Sequence, residues 1–228
     1  MKNILYIAAT MFLFSSCFHV NSNWTGSRKS VNGEGPVVVK TYDFKDFDSI
    51  RSNGSADIVF TQADAWEVTV RTQENIIDVL DYEVKDGKLV LDTKDHQNIR
   101  AEEYEITIKA PQLKEIQING AGDFKVQGGL RSEDDFQVEI NGAGDVDMTR
   151  IVCKELKISA NGACDVDAAG IDVQSVKVRI NGAGDVELSG KAGSADLEVN
   201  GAGDINARSL EVSGEVRKSA SGLAKINL

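Results

Sequence analysis

A five-residue turn, Asn-Gly-Ala-Gly-Asp, constrains this chain more than any other feature. It begins at Asn119 and returns at Asn141, Asn161, Asn181 and Asn200, with degenerate copies at Asn53 (Asn-Gly-Ser-Ala-Asp) and Ser221 (Ser-Gly-Leu-Ala-Lys). From Asn119 onward the steps are 22, 20, 20, 19 and 21 residues, whereas the first step is 66. A period this regular is the mark of a stacked architecture, in which each repeat covers the hydrophobic face of its neighbour. The long first step has room for three further turns whose motif has decayed.

Both flanks of the turn alternate with period two, as strands with one buried face do. Before it, Ile116/Ile118, Val138/Ile140, Leu156/Ile158, Val176/Val178/Ile180 and Leu197/Val199 share one side. After it, Phe124/Val126, Val146/Met148, Val166/Ala168, Val186/Leu188 and Ile205/Ala207 do the same. No helix of ordinary length fits this pattern; Glu74 to Leu80 has room for a single turn. Two arrangements satisfy it. One is a parallel β-helix with one repeat per coil; the other is an antiparallel meander in which Asn-Gly is a hairpin turn. Identical turns favour stacking, because a ladder of like residues rewards identity and stacked asparagines bond above and below. The expected fold is therefore all-β, a parallel β-helix-like solenoid with coils of about 20 residues. Residues 37–228 would make about nine coils, roughly 45 Å long.

Comparing copies shows what each motif position demands. The first glycine is present in every copy, at Gly54, Gly120, Gly142, Gly162, Gly182, Gly201 and Gly222, which points to positive φ. The second is replaced by Ala56, Cys164 and Ala224, so smallness alone is expected to suffice there. On that reading Cys164 is a packed small residue, and nothing identifies Cys153 as its disulfide partner.

The first residues are a targeting segment. Lys2 supplies a positive start, Ile4 to Phe14 an apolar run too short to span a bilayer, and Ser15-Ser16 lead into Cys17. This resembles the lipobox of bacterial lipoproteins, which implies that Cys17 is the acylated first residue of the mature chain. The expected organisation is a signal peptide at 1–16, the anchor cysteine with a flexible tether at 17–36, and the solenoid at 37–228. Surface-directed lipoproteins of some lineages carry acids just after the cysteine. Here Phe18-His19-Val20-Asn21 follow, which leaves both sides of the outer membrane open. The chain carries a net charge of −11; removing Lys2 leaves 24 basic against 36 acidic residues, or −12. Nucleic acid is excluded as a partner, since it demands a basic face. His19 and His96 lie in polar stretches apart from other soft ligands, so a structural zinc site is not expected.

The turns, together with Phe47-Asp48-Ser49-Ile50 and Lys85-Asp86-Gly87-Lys88-Leu89, resemble the head GIN domain family of putative auto-transporter adhesins. The resemblance spans roughly Val37 to Val212. It implies a right-handed β-helix-like fold in an envelope lipoprotein of Bacteroides-like bacteria, and it brings no catalytic residues with it.

The outward columns carry the remaining information. Before the turn, Glu115, Gln137, Lys157, Lys177 and Asp196, and then Gln117, Glu139, Ser159, Arg179 and Glu198, mix both signs, as a solvated face does. After it, Asp145, Asp165, Asp185 and Asp204 stack at the turn exit, and Asp147, Asp167 and Glu187 stack two residues on. Turn chemistry accounts for the first column, because aspartate accepts backbone N–H bonds. The second has no such excuse and is a candidate strip for a cation, calcium above all, or for a basic partner. No other cofactor is implied. Catalysis is not expected: only Lys125 is basic within the strip, and the repeats single out no one coil. Exposed aromatic ladders for glycan stacking are missing, since Phe124 and Phe136 point inward. The connectors Thr93 to Glu103, Gly128 to Asp135 and Gly190 to Ala195 are candidate contact loops. The expected function is a non-enzymatic outer-membrane lipoprotein, an adhesin or scaffolding head with an unidentified protein or glycan partner. The competing expectation is a periplasmic cation- or polysaccharide-binding protein.

Changing Cys17→Ala should abolish acylation and release the protein from the outer-membrane fraction. Mass spectrometry of the membrane-extracted wild type checks this, and a mature protein without acyl mass at Cys17 would contradict it.

Overall fold

The computed structural model describes residues 29–228; the leader, Cys17 and the first part of the tether lie outside them. Among these residues, twenty strands, one short α-helix and a 3-10 turn at Lys94–His96 follow one another. They run β1 (Ser30–Asn32), β2 (Val37–Tyr42), β3 (Ser49–Gly54), β4 (Asp57–Gln62), β5 (Glu67–Gln73), α1 (Glu74–Ile77), β6 (Leu80–Lys85), β7 (Lys88–Thr93), β8 (Asn98–Arg100) and β9 (Tyr104–Ala110). The repeats then supply β10 (Glu115–Gly120), β11 (Phe124–Gln127), β12 (Leu130–Arg131), β13 (Phe136–Ala143), β14 (Val146–Thr149), β15 (Ile151–Ala163) and β16 (Val166–Ala183). The chain closes with β17 (Val186–Gly201), β18 (Asp204–Val212), β19 (Val216–Gly222) and β20 (Lys225–Asn227).

The repeats stack in parallel and in register, as expected. Ile116 lies beside Val138, Val138 beside Ile158, Ile158 beside Val178, and Val178 beside Leu197. After the turn, Phe124, Val146, Val166, Val186 and Ile205 form the facing column. A third, shorter face adds Leu130, Ile151 and Ile171 to the core. All of these side chains are buried, so each coil closes three sides around a packed aliphatic interior. Gly190 to Ala195 belongs to this third side. Gly190 to Ala192 pair with Ile171 to Val173, which corrects the expectation of a free contact loop there.

The 66-residue step is also corrected. It holds no run of decayed coils. β3 and β4 pack directly against β10 and β11 on one side, and against β7 and β9 on the other. Beyond β7 and β9 the pairing turns antiparallel, with β6 on β7, β5 on β9 and β2 on β5. The expected nine coils therefore shrink to a shorter solenoid with a hairpin cap. Within the stretch expected to be tether, β1 pairs with β8 as a separate two-stranded ribbon. Among the described residues the opposite end has no such cover: β19 and β20 pair only on their inner side, Lys218 takes the inward place of Leu197, and Leu223 is 86% exposed.

Glycine is needed at the first turn position for two reasons. Gly54, Gly120, Gly142, Gly162, Gly182 and Gly201 have φ between 144° and 156°. A Cβ at Gly182 would also collide with the Gly162 carbonyl oxygen of the coil before it. The second glycine is more confined than expected, because a Cβ at Gly184 would strike the Cys164 carbonyl oxygen. Gly182→Ala should therefore destabilise by more than the roughly 1 kcal/mol of an unfavourable φ alone. Gly184→Ala should cost less but measurably, since Cys164 shows that the position can adapt. Denaturant midpoints check both, and a wild-type midpoint for either would contradict the stacking geometry.

Candidate functional site

The turn column is held by a continuous carboxamide ladder. Each asparagine Nδ2 donates to the Oδ1 of the preceding coil: Asn119 to Asn53 (2.9 Å), Asn141 to Asn119 (3.0 Å), Asn161 to Asn141 (3.0 Å), Asn181 to Asn161 (2.9 Å) and Asn200 to Asn181 (3.3 Å). At the open end Ser221 Oγ donates to Asn200 (2.8 Å). At the capped end Asn53 Nδ2 donates to Asp92 Oδ2 (2.9 Å). Since Ser52 faces Leu91, Asp92 stands where the next asparagine would be. A carboxylate only accepts, so it ends a ladder whose donors all point toward it.

The exit aspartates form a second ladder. Oδ1 of Asp123 accepts the Asp145 N–H (2.9 Å), Asp165 that of Asp185 (2.9 Å), Asp185 that of Asp204 (2.9 Å), and Asp204 that of Lys225 (2.9 Å). This is the turn chemistry expected of them. The series breaks between Asp145 and Asp165, the step at which Cys164 replaces glycine. The second column runs Lys125, Asp147, Asp167, Glu187 and Asn206. Lys125 Nζ bonds Asp147 (2.5 Å) and Asn206 Nδ2 reaches Glu187 (3.4 Å), which leaves Asp167 between two carboxylates. Partial desolvation, then the charges of Asp147 and Glu187, hold its pKa above the usual aspartate value. Among the described residues, no three His, Cys, Asp or Glu side chains converge as a metal ion requires. The opposite face pairs its mixed charges, with Lys88 on Glu115 (2.7 Å) and Arg179 on Glu198 (3.0 Å). Cys153 and Cys164 are free and buried, and burial pushes both thiols up to about 11, so neither is a nucleophile at neutral pH.

A concavity on the turn column lies at its capped end. In the cap layer the five-residue turn is replaced by the connector Thr93 to Glu103, which overhangs the Asn53 and Asn119 turns. Beneath it lies a pocket of about 600 Å³ lined by Asn53, Ser55, Asp92, His96, Gln97, Asn98, Ile99, Arg100 and Asn119, with Gly54, Gly120 and Ala121. β1 buttresses the wall, as Asn98 N–H bonds the Lys29 carbonyl (2.9 Å) and Gly33 N–H that of Arg100 (2.8 Å). Asp95 and His96 both have positive φ, 56° and 51°, a conformation costing about 1–2 kcal/mol per non-glycine residue. The bend brings His96 Nδ1 to 3.1 and 3.2 Å from the Asp92 oxygens. The connector was legible as a break between strands. Its closure over Asn53 was not, because Asp92 lies 39 residues from Asn53.

The family model described as "Putative auto-transporter adhesin, head GIN domain" matches residues 46–170 and 150–228. No curated protein matches. Solved structures share the fold. A putative adhesin from Parabacteroides distasonis superposes with a TM-score of 0.78 at 22% identity, covering 87% of this chain and 84% of its own. A protein titled putative lipid binding protein from the same organism gives 0.74 at 23%, covering 87% and 99%. A putative adhesin from Bacteroides fragilis gives 0.67 at 21%, covering 86% and 99%.

Because ionised Asp167 is disfavoured in the fold, Asp167→Asn should raise the melting temperature at neutral pH. The raised pKa means the fold holds the proton more tightly than the unfolded chain. The gain should therefore shrink as pH falls through the folded-state pKa, and vanish below the ordinary carboxylate range, where both states are protonated. Millimolar calcium should stabilise wild type no more than matched sodium ionic strength. Thermal unfolding checks both, and a calcium-specific rise lost in Asp167→Asn would restore the cation reading.

Proposed function

The chain belongs to the head GIN domain family of putative auto-transporter adhesins, and from that membership we propose that it is a non-enzymatic envelope lipoprotein presenting its solenoid as an adhesive or scaffolding head. The observation that carries this reading is the self-sufficiency of the sides. The asparagine column bonds its own neighbours coil after coil, the exit aspartates do so on either side of one break, and much of the mixed-charge face pairs within itself. Such sides stiffen a rod and leave contact to its ends.

The ends differ. Ser30 opens the first strand and pairs at the capped end. If Cys17 is acylated, 12 residues lie between it and Ser30, a reach of at most about 45 Å. The tether then joins the rod at its capped end, and β19 and β20 lie roughly 35 Å from that end at about 4.8 Å per layer. A connector fixed at the near end and an open rung at the far end suit a spacer that holds a contact surface off the membrane.

Protease treatment of intact cells tests the reading. A surface adhesin loses its head to external protease, and cells expressing it attach to host glycoprotein or neighbouring cells more than cells carrying Cys17→Ala. Protection until the outer membrane is permeabilised would favour the periplasmic binding protein instead.

A further inference from the structure

We propose that the pocket beneath the Thr93 to Glu103 connector is a saccharide site, accepting one or two sugar units of a neutral glycan. This deepens the adhesive reading above by naming a partner class, and it rests on that reading only for its biological setting.

The argument begins with which polar groups are already engaged. Asp92 accepts from Asn53, from the Thr93 backbone N–H (2.7 Å) and from His96, and its side chain is only 13% exposed. It organises the pocket and has little capacity left for a ligand. With Nδ1 on that carboxylate, the His96 ring has Nε2 left for a ligand, on a side chain that is 74% exposed. Gln97, Asn98 and Arg100 form the facing wall, and among the described residues their side chains have no hydrogen-bond or ion-pair partner. The pocket therefore offers unengaged carboxamides that donate and accept, one guanidinium that only donates, and one imidazole nitrogen.

Sugar hydroxyls also donate and accept, so adjacent hydroxyls match paired carboxamides and the imidazole nitrogen. Other ligand chemistries fit less well. A phosphate or sulfate only accepts; it would find one cation, Arg100, and would feel the Asp92 carboxylate. An acyl chain needs apolar walls, and most of the side chains around this pocket are polar. A metal ion would need converging carboxylates, and none converge. The volume of about 600 Å³ lies within the range of small-ligand sites.

The second independent observation is the strained bend. Two successive non-glycine residues at positive φ, Asp95 and His96, are retained where the connector could have relaxed. Their effect is to hold the imidazole on Asp92 at the pocket rim. The ribbon of β1 and β8 then keeps Asn98 and Arg100 facing it. A wall fixed before the ligand arrives loses less freedom on binding.

The test uses saturation-transfer difference NMR on the whole protein with glucose, galactose, mannose, N-acetylglucosamine and their β-linked disaccharides. Inorganic phosphate, galacturonate and dodecanoate serve as competitors of other chemistry. At least one neutral sugar should give saturable transfer. Asn98→Ala with Arg100→Ala, both at exposed positions on β8, should weaken it at least tenfold while leaving the melting temperature unchanged. The remote variant Asp167→Asn should bind like wild type. Absence of transfer from every sugar, equal binding by the double variant, or preferential binding of phosphate or dodecanoate would overturn the proposal. The same double variant separates this failure from failure of the adhesive reading. Cells that attach normally while carrying it would show adhesion by another surface, whereas cells that never attach would refute adhesion and leave the NMR result standing.

Discussion

The structure depends on how closely successive turns approach. Parallel coils sit about 4.8 Å apart, and at the turn the backbone of one coil meets the carbonyl of the last with no space for a side chain between them. Glycine at the first turn position is the solution, and once it is in place the flanking residues have no freedom of register. Asn119 must then lie over Asn53 and Asn141 over Asn119. Their bonds run in one direction, so each carboxamide polarises the next and the chain gains cooperatively. A directional chain needs different ends. Asp92, which can only accept, and Ser221, which donates, supply them.

The repeated half of this architecture could be read from spacing alone, because identity at a fixed period is what stacking produces. The cap could not. Alternating apolar residues in β5, β6 and β9 look the same whether the neighbour runs parallel or antiparallel, so periodicity assigned coils where hairpins stand. One local signal did favour a hairpin. Asp86-Gly87 joins β6 to β7 with φ of 51° and 74°, the double positive φ of a type I′ turn, and Asp-Gly is its preferred sequence. The tolerance of the second glycine was misjudged for a related reason. Ala56 opens the stack and has no earlier turn for its Cβ to meet, so it reports on the end of the column and not on its middle.

Charge shows the same division between local and long-range information. The exit aspartates were assignable as turn residues, and each of those bonded does serve a backbone N–H of the next coil. The strand-face column depends on who stands beside whom. Lys125 neutralises Asp147 only because β11 lies on β14, and Asp167 is left without a counter-charge because both its neighbours are acids. Composition counts such charges but cannot pair them. The pocket at the cap is the extreme case, assembled from the Asn53 turn, the end of β7 and a strand held in place by residues before the first repeat.

An open solenoid end is also a template for further pairing, and the chain treats its two ends unequally. The cap end is covered by antiparallel strands that no longer follow the coil path. At the far end Lys218 occupies the inward position that Leu197 fills one coil earlier. An inward-facing charge discourages another β-edge from docking there, because pairing would bury it without a partner. Val216 and Ile226 still contribute apolar surface on the same rung, and Leu223 protrudes beside them. The last coil can therefore complete the core below it while resisting indefinite end-to-end growth. Identical coils stiffen the stack, and the unlike rung at Lys218 is what limits pairing beyond them among the described residues.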